Sequence, residues 1–301
     1  MGAVYRFLKN FVSFLAFIVY MLIYEDFKNY IKKAGRNSKK KTQTLAILGN
    51  GPSLSKVLDS WARNEDITKS DVAVVNFFCD DERFEKIKPE YYVVSDPQFY
   101  DPKCPLFERD SRLFEVLNKK VTWTMFLYVQ YKSLRLLDYK KLITNPNITL
   151  VPFHTRSYRG FEKLRFPFYR WGLGSGNHGT VVLNAEFIGL NLGYKEIYMY
   201  GIDHTFFDGL TVTNENVLCT KVSHFYEDRI ELKPLINHSG HKLKSETMSS
   251  FLLDKFCIFN GHVEFNEYAQ YLESTIFNCT ENSLVDAYPR RISLFSKRDV
   301  L

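Results

Sequence analysis

Residues 11–24 read FVSFLAFIVYMLIY, fourteen positions without a charge, and the chain then turns strongly basic. As a helix that run is about 21 Å long, against a hydrocarbon core of about 30 Å. With Phe7 and Leu8 added and Lys9 snorkelling, a full span comes within reach. The next apolar block, Thr44-Leu45-Ala46-Ile47-Leu48, is short and strand-like. It leads into Gly49-Asn50-Gly51-Pro52-Ser53-Leu54 and a helix-like stretch ending near Trp61. Strand, glycine turn and helix open a doubly wound α/β unit. Residues 72–75 end at Asn76, and residues 91–94 end at Ser95-Asp96-Pro97. Polar residues thus stand at the carboxyl ends of buried strands, where open α/β sheets bind ligands. Residues 121–124 and 148–151 read as further strands.

The second informative block spans residues 172–208. A polar, glycine-rich loop carries Asn177, His178, Gly179 and Thr180. Beyond it, Val181, Ala185, Ile188 and Leu192 keep helical spacing, and Gly193 supplies a C-cap. Residues 194–200 read as a strand closing in Gly201-Ile202-Asp203-His204, a second edge facing a ligand.

At 301 residues and 45% hydrophobic, the chain has material for one sizeable core, or for one domain with a subdomain. Its net charge of +6 is unevenly spread: residues 1–41 hold nine basic and two acidic side chains, leaving −1 on the remaining 260. The basic excess belongs to a tail rather than a groove, so no nucleic-acid partner is expected. Lys32, Lys33, Arg36, Lys39, Lys40 and Lys41 directly follow the apolar run, a pattern that favours anionic lipid head groups on the cytoplasmic side. The expectation is membrane attachment through residues 7–41, an N-terminal anchor with the body at the cytoplasmic face. The five cysteines form no CxxC pair and no even framework, so neither a disulfide scaffold nor a zinc ribbon is indicated; a reducing compartment is the easier reading, and all five read as packing residues.

Gly49-Asn50-Gly51-Pro52-Ser53-Leu54, with Gly193-Tyr194-Lys195-Glu196-Ile197-Tyr198 and Gly201-Ile202-Asp203, resembles the bacterial CMP-sialic-acid-dependent sialyltransferases. The resemblance extends to their relatives, the motility-accessory-factor glycosyltransferases and the archaeal-type hydroxymethylpterin diphosphokinases, and covers roughly residues 44–290. It implies a Rossmann-like doubly wound, mainly parallel sheet with a small helical lid, here preceded by a membrane-associated helix. The corresponding division is an anchor and basic linker at 1–43 and a nucleotide-binding α/β domain at 44–215. A helical lid and acceptor region follows at 216–270, and a returning strand and tail at 271–301.

The resemblance also implies roles. Gly49, Asn50, Gly51 and Ser53 would meet the donor's phosphate and ribose, with Asn76 and Asp96 as further nucleotide contacts. His178, Gly179 and Thr180 fall where the family has Ser-Gly before its long helix. Asp203 and Thr205 lie at the second edge, Thr205 standing where the family has a tyrosine. Ser223-His224-Phe225-Tyr226 matches the family's Ser-His-Tyr, whose histidine is the catalytic base, so His224 is the expected base.

Inverting sugar transfer needs a group that removes the acceptor's proton and something that stabilises the nucleotide leaving group. Histidine suits the first task; for the second the turn's amides, hydroxyls, and His178 or His204 are candidates. No Asp-x-Asp occurs in the chain, so no metal or other cofactor is expected beyond the nucleotide-sugar donor itself. The acceptor would be a glycan or lipid-linked glycan. His238 and His241 are rivals for the base. The alternatives are a diphosphokinase of the hydroxymethylpterin type, which would need Mg²⁺, and a non-catalytic scaffold on a nucleotide fold.

Overall fold

The computed structural model describes residues 2–37, 40–176, 179–223, 230–237 and 244–292. Six short apolar runs become strands: β1 (Thr44–Leu48), β2 (Asp71–Val75), β3 (Tyr91–Val94), β4 (Met125–Gln130), β5 (Ile148–Phe153) and β6 (Glu196–Tyr200). Three antiparallel strands follow, β7 (Leu210–Val212), β8 (Leu218–Ser223) and β9 (Ile230–Pro234), then the small pair β10 (Ile236–Asn237) and β11 (Lys244–Ser245), and finally β12 (Thr275–Asn278). Seven strands form one sheet in the order β12-β6-β1-β2-β3-β4-β5, every pairing parallel.

Parallel strands buried on both faces need unbroken apolar runs, and alternate residues divide between two layers. Leu45, Ile47, Ala73, Val75, Ile197 and Met199 face one core. Ala46, Leu48, Val72, Val74, Tyr198 and Tyr200 face the other. The principal helices are α1 (Gly2–Tyr24), α2 (Tyr30–Asn37), α3 (Leu54–Leu58), α4 (Leu113–Lys120), α5 (Arg165–Arg170), α6 (Val181–Leu192) and α7 (Met248–Tyr271). The first core takes α6 and α7, the second α3 and α4. Eleven of the twelve α6 residues are buried, as a helix apolar all round requires.

Four elements differ from the sequence reading. The strand expected at 121–124 begins at Met125 instead. Val121 ends α4, and Trp123 fills the second core, its ring 5.1 Å from Phe84 and its indole N–H donating to the Pro89 carbonyl at 2.8 Å. The helix expected to continue to Trp61 stops at Leu58. The basic linker is not free chain: α2 buries Ile31 and Ala34 in the first core and turns Lys32, Lys33 and Arg36 outward. In the region read as a lid, the described residues before α7 form strands β8 to β11, and α7 places Phe265, Tyr268 and Ala269 in the first core as a layer of the sandwich.

The block Gly193–Tyr198 has a structural explanation. Gly193 adopts φ 84° to end α6. The Tyr194 hydroxyl donates to Oδ2 of the fully buried Asp71 at 2.6 Å and stands 2.8 Å from the Tyr91 hydroxyl, while the Lys195 ammonium reaches the Leu272 carbonyl at 3.0 Å. These contacts tie the starts of β2, β3 and β6 together. Removing the Tyr194 hydroxyl leaves a buried carboxylate short of a donor, a loss of about 1–3 kcal/mol. Tyr194→Phe is therefore expected to lower the urea-unfolding free energy by that amount; an unchanged midpoint at equal slope would refute the assignment.

Candidate functional site

The chain runs from β1 to β5 in one direction across the sheet, then crosses to β6 on the other side of β1. Loops leaving β1 and β6 therefore diverge, opening the crevice in which open α/β sheets hold ligands. The turn after β1 meets the end of β6 there. Gly49 N–H donates to the Tyr200 carbonyl at 2.8 Å and Gly51 N–H to the Gly201 carbonyl at 2.9 Å. Ser53 donates twice to Asp203, from its amide to Oδ1 at 3.3 Å and from its hydroxyl to Oδ2 at 2.9 Å. A Cβ on Gly51 would collide with Asp203 Oδ2 and stand 2.6 Å from the Gly201 carbonyl oxygen; one on Gly49 would stand 2.5 Å from that oxygen. The two glycines thus exist for close backbone approach.

The amides of Gly49, Gly51 and Ser53 are taken up by β6 and Asp203, which holds the turn in place. Asp203 is a clamp on Ser53.

Beside the clamp lies a row of amides and one carboxyl. Asn50 donates from Nδ2 to the Val75 carbonyl at 3.2 Å. Asn76, at φ 47°, donates from Nδ2 to Asp96 Oδ2 at 2.7 Å. Burial raises the Asp96 carboxyl above its ordinary pKa, opposed by the Asn76 hydrogen bond. Asn184, in the first turn of α6, donates to the Ser95 hydroxyl at 2.8 Å. Oδ1 of Asn76 and Oδ1 of Asn184 are buried without a hydrogen-bond partner. Phe77 is partly exposed next to Asn76, its ring 5.0 Å from Phe99. Thr180 is the N-cap of α6 but makes no side-chain cap bond, and Gly179 packs on Ile258.

Of the sequence-derived residues, Gly49, Gly51, Ser53 and Asp203 meet directly, Asn76 joins Asp96, and Asn50 bonds the residue before Asn76. Gly179 and Thr180 lead into the helix that carries Asn184. Thr205 follows His204, its carbonyl accepting from Asp208 N–H at 3.2 Å. His178, His224, His238 and His241 lie outside the described residues. No group of three His, Cys, Asp or Glu side chains placed to hold a metal ion occurs among the described residues.

Sequence reasoning missed a buried array behind Asp203. His204, at φ 51°, stands with Nε2 3.1 Å from Nε2 of His262. Nδ1 of His262 lies 3.1 Å from the Tyr288 hydroxyl, which donates to Glu186 Oε2 at 2.6 Å; Glu186 Oε1 is 3.1 Å from the same Nδ1. His262 and Glu186 are fully buried. His262 thus stands between His204 on one side and the Tyr288–Glu186 pair on the other, within hydrogen-bonding distance of each. One signal was available: Asn184 and Glu186 are polar residues in the first half of an otherwise apolar helix.

Burial, then His262 and Lys255, depress the His204 pKa to about 3. A histidine held below its free value of about 6.5 takes up its proton on unfolding, so its contribution to stability is intact above pH 6.5 and lost as pH falls from there toward 3. The difference in unfolding free energy between the parent and His204→Gln should therefore shrink as pH falls through this window. A difference independent of pH would contradict the buried neutral imidazole.

No family model matches the chain, and no curated protein matches it. Among solved structures it is similar to a MAf glycosyltransferase from Magnetospirillum magneticum AMB-1, with 12% identity and a TM-score of 0.45 over 85% of this chain and 34% of that one. The chain spans about a third of that protein's length.

Proposed function

We propose that the chain is a membrane-associated glycosyltransferase that moves a sugar, sialic-acid-like or other, from a CMP-linked donor to a glycan or glycolipid acceptor with inversion. The observation that carries this reading is the pair of unpartnered buried oxygens, Asn76 Oδ1 and Asn184 Oδ1, at the carboxyl edge of β2 and β3. An orphaned buried acceptor costs about 1–3 kcal/mol, a penalty relieved when a ligand brings donors. Ribose hydroxyls and the exocyclic amine of cytosine are such donors. The motif resemblance of the glycine turn and of Gly201-Ile202-Asp203 supports the same ligand class.

In this reading Asn50, Asn76, Asp96 and Asn184 hold the nucleoside. Gly49, Gly51, Ser53 and Asp203 form the floor beneath it. The start of α6, with Gly179, Thr180 and His178 before it, offers its dipole to the departing phosphate, and Thr205 lies at the far rim. A proton acceptor works best with a pKa near the operating pH, and His204 at about 3 is too weak a base for neutral solution. The base role is therefore proposed for His224.

CMP or CDP at a hundred times its Kd, without divalent ions, is expected to stabilise the protein by about 2.7 kcal/mol, read as a raised melting temperature. Asn76→Ala should abolish most of that rise. His224→Ala should keep it while turnover falls by about 10²–10⁴-fold. Stabilisation only by ATP with Mg²⁺ would indicate diphosphokinase chemistry, and no response to any nucleotide would indicate a scaffold; either outcome overturns the proposal.

A further inference from the structure

The way α1 is held against the body decides how it can meet a membrane. By length and hydropathy α1 is able to cross a bilayer: it has 23 residues and a mean hydropathy of 1.8 in its most apolar window. Yet it is docked side-on along much of its length. Phe17 and Met21 are buried against Phe168 and Leu173, and the Phe14 and Phe17 rings meet Phe168 edge-on at 5.8 and 5.6 Å. Nearer the N-terminus, Phe7 packs on Phe161 at 5.5 Å. Beyond the C-terminal end, Glu25 is clasped by the buried His154, Oε2 to Nδ1 at 2.5 Å, while Arg135 donates to the Ile23 carbonyl at 3.0 Å.

The opposite face is wholly apolar. Leu8, Val12, Leu15, Val19 and Leu22 recur at three- and four-residue steps, so they form one stripe, and all are exposed. A helix lying on a water-soluble body turns polar residues outward; this one turns leucine and valine outward. Cations border both ends of the stripe: Arg6 and Lys9 at one, Lys28 and the outward Lys32, Lys33 and Arg36 at the other, all exposed. An apolar stripe bordered by cations is complementary to a bilayer surface with anionic head groups.

We infer that α1 does not cross the membrane but lies in its interface, with the Leu8–Val12–Leu15–Val19–Leu22 stripe sunk among the acyl chains and the docked face still on the body. An upright crossing would either strip Phe14, Phe17 and Met21 from their sites or drag Arg156, stacked over Tyr20 at 4.1 Å, and Arg135 into hydrocarbon. Arginine at the bilayer centre costs at least about 2.5–3.5 kcal/mol. The in-plane arrangement breaks no contact. It also holds the carboxyl edge of the sheet near lipid. His154 directly follows β5, four strand positions from β1, which is roughly 19 Å at about 4.8 Å per strand. This inference rests on the membrane-attachment part of the proposed function and is independent of its chemistry.

The test uses the full chain carrying an N-terminal peptide tag, with vesicles of phosphatidylcholine and phosphatidylglycerol in equal parts. The protein is expected to sediment with the vesicles, and protease added outside should remove the tag without detergent. The double variant Leu15→Glu, Val19→Glu should lower partitioning by roughly tenfold or more. Its melting temperature should stay at the parent value, because both side chains are exposed. A tag protected until detergent is added would mean a crossing helix and overturn the inference. So would partitioning unchanged in the double variant, or a dimer in vesicle-free solution that the variant dissolves, which would make a second copy of the chain the occupant. The CMP-dependent rise in melting temperature, read on the same samples, separates failure of the membrane inference from failure of the nucleotide reading.

Discussion

Backbone against backbone at one point, where the turn after β1 lies on the end of β6, sets the geometry of the whole carboxyl edge. Gly51 approaches Gly201 and Asp203 so closely that no side chain fits between them, and the Ser53–Asp203 pair closes the contact from outside. Because β1 and β6 are neighbours whose connections leave in opposite directions, this is also the place where the sheet opens. A tight floor beneath an open crevice follows from the same four residues. Close backbone approach and the Ser53–Asp203 pair are what these residues contribute to the fold.

Around that floor the chain holds conformations that carry a cost. Asn76 and His204 both take left-handed backbone angles at strand ends on this edge, and two amide oxygens are buried without partners. Such costs persist where surrounding packing over-determines them, and they concentrate at binding sites. The array from His204 through His262 and Tyr288 to Glu186 supplies part of that packing, since it joins the end of β6, α6, α7 and the segment after β12 in one hydrogen-bonded chain. The body is also rigidly joined to its apolar helix. Glu25 and His154 link α1 to the end of β5, so whatever orients α1 at a lipid surface orients the edge as well.

Much of the fold was legible along the chain. Runs such as 44–48, 91–94 and 196–200 are short, apolar and punctuated by glycine or polar residues, and strands buried on both faces leave no other pattern. The α6 segment and its Gly193 cap were equally plain, since the cap needs a left-handed residue. Residues 121–124 misled because Trp123 is apolar for packing on a helix-bearing face, and burial alone does not distinguish a strand from a filled corner. The basic stretch concealed α2, in which two buried positions, Ile31 and Ala34, outweigh the cations around them.

The sequence by itself determined the α/β class, the order of the sheet-forming runs, the polar strand ends and the apolar character of α1. Each depends on local composition or on spacing within a few residues. Only the tertiary structure decided that the amides of the glycine turn are spent on β6, that Asp203 clamps Ser53, that His204 backs onto His262 and Glu186, and that α1 keeps one face on the body. The directly bonded partners lie 58 residues or more apart along the chain, and no local pattern encodes which distant group a buried polar atom will meet.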